Sequence, residues 1–152
     1  MQSRHIAILV IVIAITAVVA GFIITIQMPD VKVSGVEIAN ITPTDLTLNI
    51  TLEIHNPNFF SVPIGRIVSN VTYLHSGGWE PLSDAHMDAF EITGGDTKVT
   101  IPVHAKNANL IRAGFSLLID REITIQVEGT IEPSLLLYTP KIPFSEVKTI
   151  SI

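Results

Sequence analysis

The chain has no cysteine, which excludes disulfides, catalytic thiols and thiolate metal sites. It has no basic run, since its lysines and arginines are scattered singly. A phosphate-neutralising patch for nucleic acid is therefore not expected. Neither is a polybasic stretch that would draw the chain to an anionic membrane surface. It lacks a G-x-S-x-G elbow, a phosphate-cradling glycine loop and an H-E-x-x-H pair. The nearest paired carboxylates, Asp120 and Glu122, flank a turn. No catalytic residue, cofactor site or metal site is predicted, and the protein is read as a non-enzyme. There is no low-complexity tract and no internal repeat, and β-branched residues are abundant, so the chain is not of the disordered class.

One stretch lacks charge altogether. Residues 6–26 hold no Asp, Glu, Lys or Arg, and only Thr16, Gly21 and Thr25 interrupt the Ala, Val, Ile, Leu and Phe run. As a helix it would be about 32 Å long, against about 30 Å for a bilayer hydrocarbon core. No later segment is as apolar. Residues 6–26 are thus expected to be a transmembrane helix in contact with the lipid bilayer. Residues 1–5 form a short tail, and 27–152 form one outer domain. Arg4 before the run places the tail in the cytoplasm and the domain outside. A cleavable signal peptide competes, with Val18 and Ala20 before a cut at Gly21, but signal apolar regions usually run about 7–15 residues. A pilin-like filament helix fits less well, because Arg4-His5 stand where a small residue is expected.

The outer domain has eight basic and fourteen acidic residues, a net charge of −6. Its length suits a single core built without staples. Alternation dominates. Leu46, Leu48, Ile50, Leu52 and Ile54 alternate with polar residues, as do Val99, Ile101, Val103 and Ala105, and Ile123, Ile125, Val127, Gly129 and Ile131. Each series predicts a strand with one buried face. Leu48, Ile50, Leu52, Ile101 and Ile125 should be buried, and Asn49, Thr51, Thr100 and Gln126 exposed. Pro102 assigns the second strand to an edge, or turns its nitrogen outward. Val31 and Val33 are out of phase with Val36 and Ile38, which predicts a bulge at Ser34-Gly35. Further strands are expected over 31–38, 68–74, 87–92 and 141–150, with turns at 42–45, 56–58, 76–78 and 94–96. Ile111, Phe115 and Leu118 recur at helical spacing, so one short helix is expected over 109–119. Together these give an all-β, antiparallel sandwich of immunoglobulin or fibronectin-III type with one short helix.

Asn56-Pro57-Asn58 ends the strongest strand. Pro57 extends Asn56 and removes a ladder donor, and Asn58 suits a tight turn, so the motif reads as a structural corner. Three sequons, at Asn40, Asn49 and Asn70, are candidate glycosylation sites. His75, Asp84, His86 and Asp88 are the one cluster of metal-ligand types and are expected in a solvated loop. Trp79 is expected as a local lid over the core.

The order of these motifs resembles the group 2 late embryogenesis abundant domain, also called the WHy (water stress and hypersensitive response) domain. The match runs through Asn56-Pro57-Asn58, Ile64, Val71-x-Tyr73, Gly77, Phe90-x-Ile92 and Val99-x-Ile101-Pro102-Val103, and covers roughly 31–150. The stretch 78–81 is less typical of that family. The resemblance implies a folded sandwich, no enzymatic activity, an association with desiccation or osmotic stress, and often an N-terminal membrane anchor. Protection of membrane or partner proteins is the leading expectation. Binding of an apolar ligand such as a lipid chain, and an adhesion or assembly scaffold, are the rivals.

Overall fold

A computed structural model describes residues 2–42, 45–105, 121–135 and 138–151, with side chains from residue 8 onward except at 22–24. Among the described residues one helix, α1 (Gln2–Ile24), precedes eight strands. These are β1 (Asp30–Thr42), β2 (Asp45–Asn56), β3 (Val62–His75), β4 (Gly78–Met87), β5 (Phe90–Ile92), β6 (Gly95–Ala105), β7 (Glu122–Pro133) and β8 (Ile142–Ser151). One sheet has the order β1-β2-β6. The other runs β4-β3-β7-β8, with β5 also paired to β3. All pairings are antiparallel.

The alternation positions the core as expected. Leu48, Ile50, Leu52, Ile101 and Ile125 are all buried, and the two sheets enclose them with Ile54, Ile64, Ile67, Tyr73 and Ile92. Pro102 lies on β6, an edge strand of its sheet. The bulge predicted at Ser34-Gly35 appears as a register shift between Val33 and Gly35, and a second follows between Ile38 and Asn40. Two ion pairs link β2 to its neighbours on either side. Glu53 Oε1 meets Lys32 Nζ of β1 at 2.8 Å, and Glu53 Oε2 meets Lys98 Nζ of β6 at 3.9 Å. The hydrogen bond from Lys32, then the carboxylate charge, raises the lysine's pKa.

Several expectations need correction. Asn49, Thr51 and Gln126 are half-buried rather than exposed, because β2 and β7 are interior strands whose neighbours shade both sides. Residues 78–87 are a strand, not a loop. Its buried Leu82 and Ala85 are three apart because a register shift against β3 interrupts the alternation. Strand β3 starts at Val62, not near 68, and it too changes phase, between Ile64 and Ile67. Trp79 is no lid. It lies on β4, 44% exposed, opposite the exposed Leu74.

The helix expected over 109–119 lies outside the described residues. So does any cleft between it and a sheet. The backbone of α1 covers 23 residues, about 34 Å at helical rise, and spans the uncharged run except its last two residues. Its side chains are described over 8–21 only, a stretch shorter than a bilayer core. Among the described residues no helix is long and apolar enough to cross a membrane.

Candidate functional site: the Asn-Pro-Asn corner

Strand β2 ends at Asn56, and the ladder cannot continue through Pro57, which has no N–H. The chain turns there by side-chain bonding. Asn56 Oδ1 accepts the backbone N–H of Asn58 at 3.1 Å, closing a local turn. It also accepts from Asn58 Nδ2 at 2.9 Å. Asn56 Nδ2 donates to the carbonyls of Phe60, at 2.8 Å, and Thr93, at 3.2 Å. Asn56 is fully buried and Asn58 nearly so. Every polar atom of the Asn56 amide is therefore bonded, as burial of an amide requires.

The second asparagine reaches much further. Asn58 Oδ1 accepts the backbone N–H of Gln27 at 2.9 Å, and Asn58 Nδ2 donates to the Gln27 carbonyl at 2.8 Å. A side-chain amide thus makes the exchange that a neighbouring strand would make. Gln27 lies three residues beyond the end of α1 and three before β1. Around it the connector is seated. Ile26 packs against the core, and Pro29 is buried.

The turn between β5 and β6 closes the corner from the other side. A Cβ on Gly94 would stand 2.8 Å from the Asn58 carbonyl oxygen, so only glycine allows this approach. Three segments distant in sequence therefore meet at the corner: the connector after α1, the end of β2 and the turn at Thr93-Gly94.

The other candidates are dispersed. His75 pairs with Gly78, whereas His86 pairs with Val68, seven positions along β3. That separates the two histidines by roughly 23 Å of strand. Asp84, His86 and Asp88 are exposed. Among the described residues no three His, Asp or Glu side chains converge to hold a metal. Of the sequon asparagines, Asn40 is exposed near the β1–β2 turn, with Nδ2 3.4 Å from Asp45 Oδ2. Asn70 is exposed on β3, and Asn49 is half-buried on β2.

Among the described residues two open clefts lie on the five-stranded sheet. One of about 620 Å³ is lined by Val68, Asn70, Gly129 and Phe144. The other, about 450 Å³, lies beside the corner between Phe60, Pro63, Leu135 and Tyr138. Sequence reasoning found the corner but missed Gln27, Thr93 and Gly94 as its partners. No short-range signal links residues 31 apart. The pair Phe59-Phe60 did carry a signal, because adjacent aromatics directly after a turn are not explained by an inward face.

Fold and corner together define an all-β sandwich module with an N-terminal helix whose connector is held against the domain. The family profile for late embryogenesis abundant protein matches residues 51–148. The chain belongs to that family. It is 24% identical over 132 residues to an uncharacterized protein of Methanocaldococcus jannaschii, covering 87% of this chain and 75% of that one. A solution structure from Arabidopsis thaliana is similar with a TM-score of 0.68 at 18% identity, covering 84% of each chain. A second solution structure, of a candidate late embryogenesis abundant protein, has a TM-score of 0.57 at 17% identity, covering 99% of this chain and 86% of that one. At these identities the two structures establish likeness of fold.

Proposed function

We propose that the protein is a single-pass membrane protein carrying a non-catalytic sandwich of the group 2, or WHy, type. In this reading α1 is retained in the bilayer, with residues 1–5 in the cytoplasm and 27–152 outside. The domain keeps the membrane surface or neighbouring proteins in order when desiccation or osmotic stress lowers water activity. The observation that carries the reading is family membership over residues 51–148, joined to a helical backbone over most of the uncharged run. A helix of that length and composition is stable where backbone groups cannot bond water. The sandwich core is closed by apolar side chains from both sheets, and the domain folds without disulfides because the chain has no cysteine.

The test is drying itself. Vesicles carrying the full chain and an encapsulated dye are dried and rehydrated beside vesicles carrying an unrelated single-pass protein. The reading expects less leakage and less vesicle fusion with the full chain. Equal leakage from both would contradict the protective role. Extraction of the protein by alkaline carbonate would contradict the anchor.

A further inference from the structure

The end of the sandwich at the Asn-Pro-Asn corner is apolar on its outside. Phe59 is 83% exposed, Met28 54% and Tyr138 51%. The Phe59 and Phe60 rings meet edge to face at 5.4 Å. Phe60 and Tyr138 share the cleft of about 450 Å³ with Pro63 and Leu135. Hydrogen bonds tie these segments into one end. Ser134 donates to the Pro63 carbonyl at 2.7 Å, and Asn56 holds the Phe60 carbonyl. The segments that carry these rings are without charge, and exposed Asp30, Glu91 and Asp96 flank the same end. Residues 25–29, 56–65 and 133–140 contain no Asp, Glu, Lys or Arg, in a domain of net charge −6. Of the first flanking charges, Glu132 and Lys141 pair with each other at 3.5 Å.

We propose that this exposed aromatic end is a membrane-contact surface, lying in the interfacial layer of the same bilayer that holds α1. The proposal rests on the anchor reading above. Its occupant follows from chain length. Gln27 is fixed to Asn58, and three residues reach at most about 10 Å. The corner therefore cannot stand further than that from the C-terminal end of α1. Headgroup layers add roughly 5–8 Å to each side of the hydrocarbon core. The corner is held at the depth where Tyr and other amphipathic rings collect. Because Asp30, Glu91 and Asp96 are exposed at this end, the contact favours a zwitterionic over an anionic lipid surface. The β3–β4 hairpin, with Trp79, is at the other end of β3, up to about 43 Å away at strand rise.

Trp79 is the sole tryptophan and so serves as an internal control. The full chain is reconstituted in phosphatidylcholine vesicles whose acyl chains carry bromine near the headgroup. Three forms are compared: wild type, Phe59→Trp with Trp79→Phe, and Tyr138→Trp with Trp79→Phe. Circular dichroism checks that all three keep the sheet. The proposal expects emission from positions 59 and 138 to be blue-shifted and quenched about twofold or more, as for rings in an interfacial belt, with Trp79 unquenched. If the protein floats with the vesicles but positions 59 and 138 are quenched no more than Trp79, the anchor stands and this surface is refuted. A blue shift without quenching would show that protein, such as a second copy, covers the end, and would also refute it. Failure to float with the vesicles would overturn the anchor reading and this proposal with it.

Discussion

Asn58 and Gln27 are 31 residues apart and exchange two hydrogen bonds, one in each direction, between a side-chain amide and a backbone peptide. The pairing converts what looks in sequence like a free tether into a seated connector. It also explains why an asparagine ends up almost fully buried at the close of a β-strand: its amide substitutes for a missing strand neighbour.

Asn56 is the inner support of that pairing, and its loss should be felt throughout the domain. Asn56→Ala leaves the Phe60 and Thr93 carbonyls and the Asn58 N–H without their partner. A buried polar group so orphaned costs about 1–3 kcal/mol. Urea denaturation of the variant should show a loss of at least that size, larger than that of Asn40→Ala, whose side chain is exposed.

The register of β2 makes a second prediction. Ile50→Ala truncates a fully buried side chain and should destabilise the protein by about 2–5 kcal/mol. Thr51→Ala, at a half-buried site on the outer face, should cost about 0.5 kcal/mol or less. Chemical denaturation that reversed this ranking would mean the strand faces had been exchanged.

What the sequence disclosed and what it hid follow from phase. Strands β2, β6 and β7 alternate over the predicted stretches, and their buried faces are legible residue by residue. Strands β3 and β4 each change phase, between Ile64 and Ile67 and around Leu82. A period-two reading therefore caught only part of one and took most of the other for a loop. The corner was half legible. Pro57 and the asparagine turn are local chemistry, whereas the bonds to Gln27 and Thr93, and the approach of Gly94, are created by folding. The four residues of metal-ligand type show the converse. His75 and His86 are close in sequence but separated along the strands.

Gly129 offers a third check. A Cβ there would stand 2.5 Å from the Val68 carbonyl oxygen and 2.9 Å from Phe144 Cε1. Phe144, opposite Gly129 across the β7–β8 ladder, occupies the space that a side chain would need. Gly129→Ala should destabilise by about 1–3 kcal/mol through overpacking. Adding Phe144→Ala should not restore stability, because the carbonyl of Val68 is backbone and remains. Thermal or urea unfolding of the two variants decides the point.

The dispersed arrangement of His75, Asp84, His86 and Asp88 gives a fourth. Elemental analysis of the purified full chain should find no stoichiometric zinc or other transition metal, in wild type or in His86→Ala. One equivalent in wild type, absent from the variant, would reopen β4 as a candidate active site.

The central claim is that Asn58 holds the connector after α1 to the domain, and amide hydrogen exchange at Gln27 tests it most directly. In the wild-type protein the Gln27 N–H, bonded to Asn58 Oδ1 at 2.9 Å, should exchange slowly. In Asn58→Ala it should exchange at least about tenfold faster, the equivalent of about 1.4 kcal/mol of lost protection, while amides of the central strand β2 stay protected. Unprotected exchange at Gln27 in the wild type, or protection unchanged by Asn58→Ala, would contradict the account.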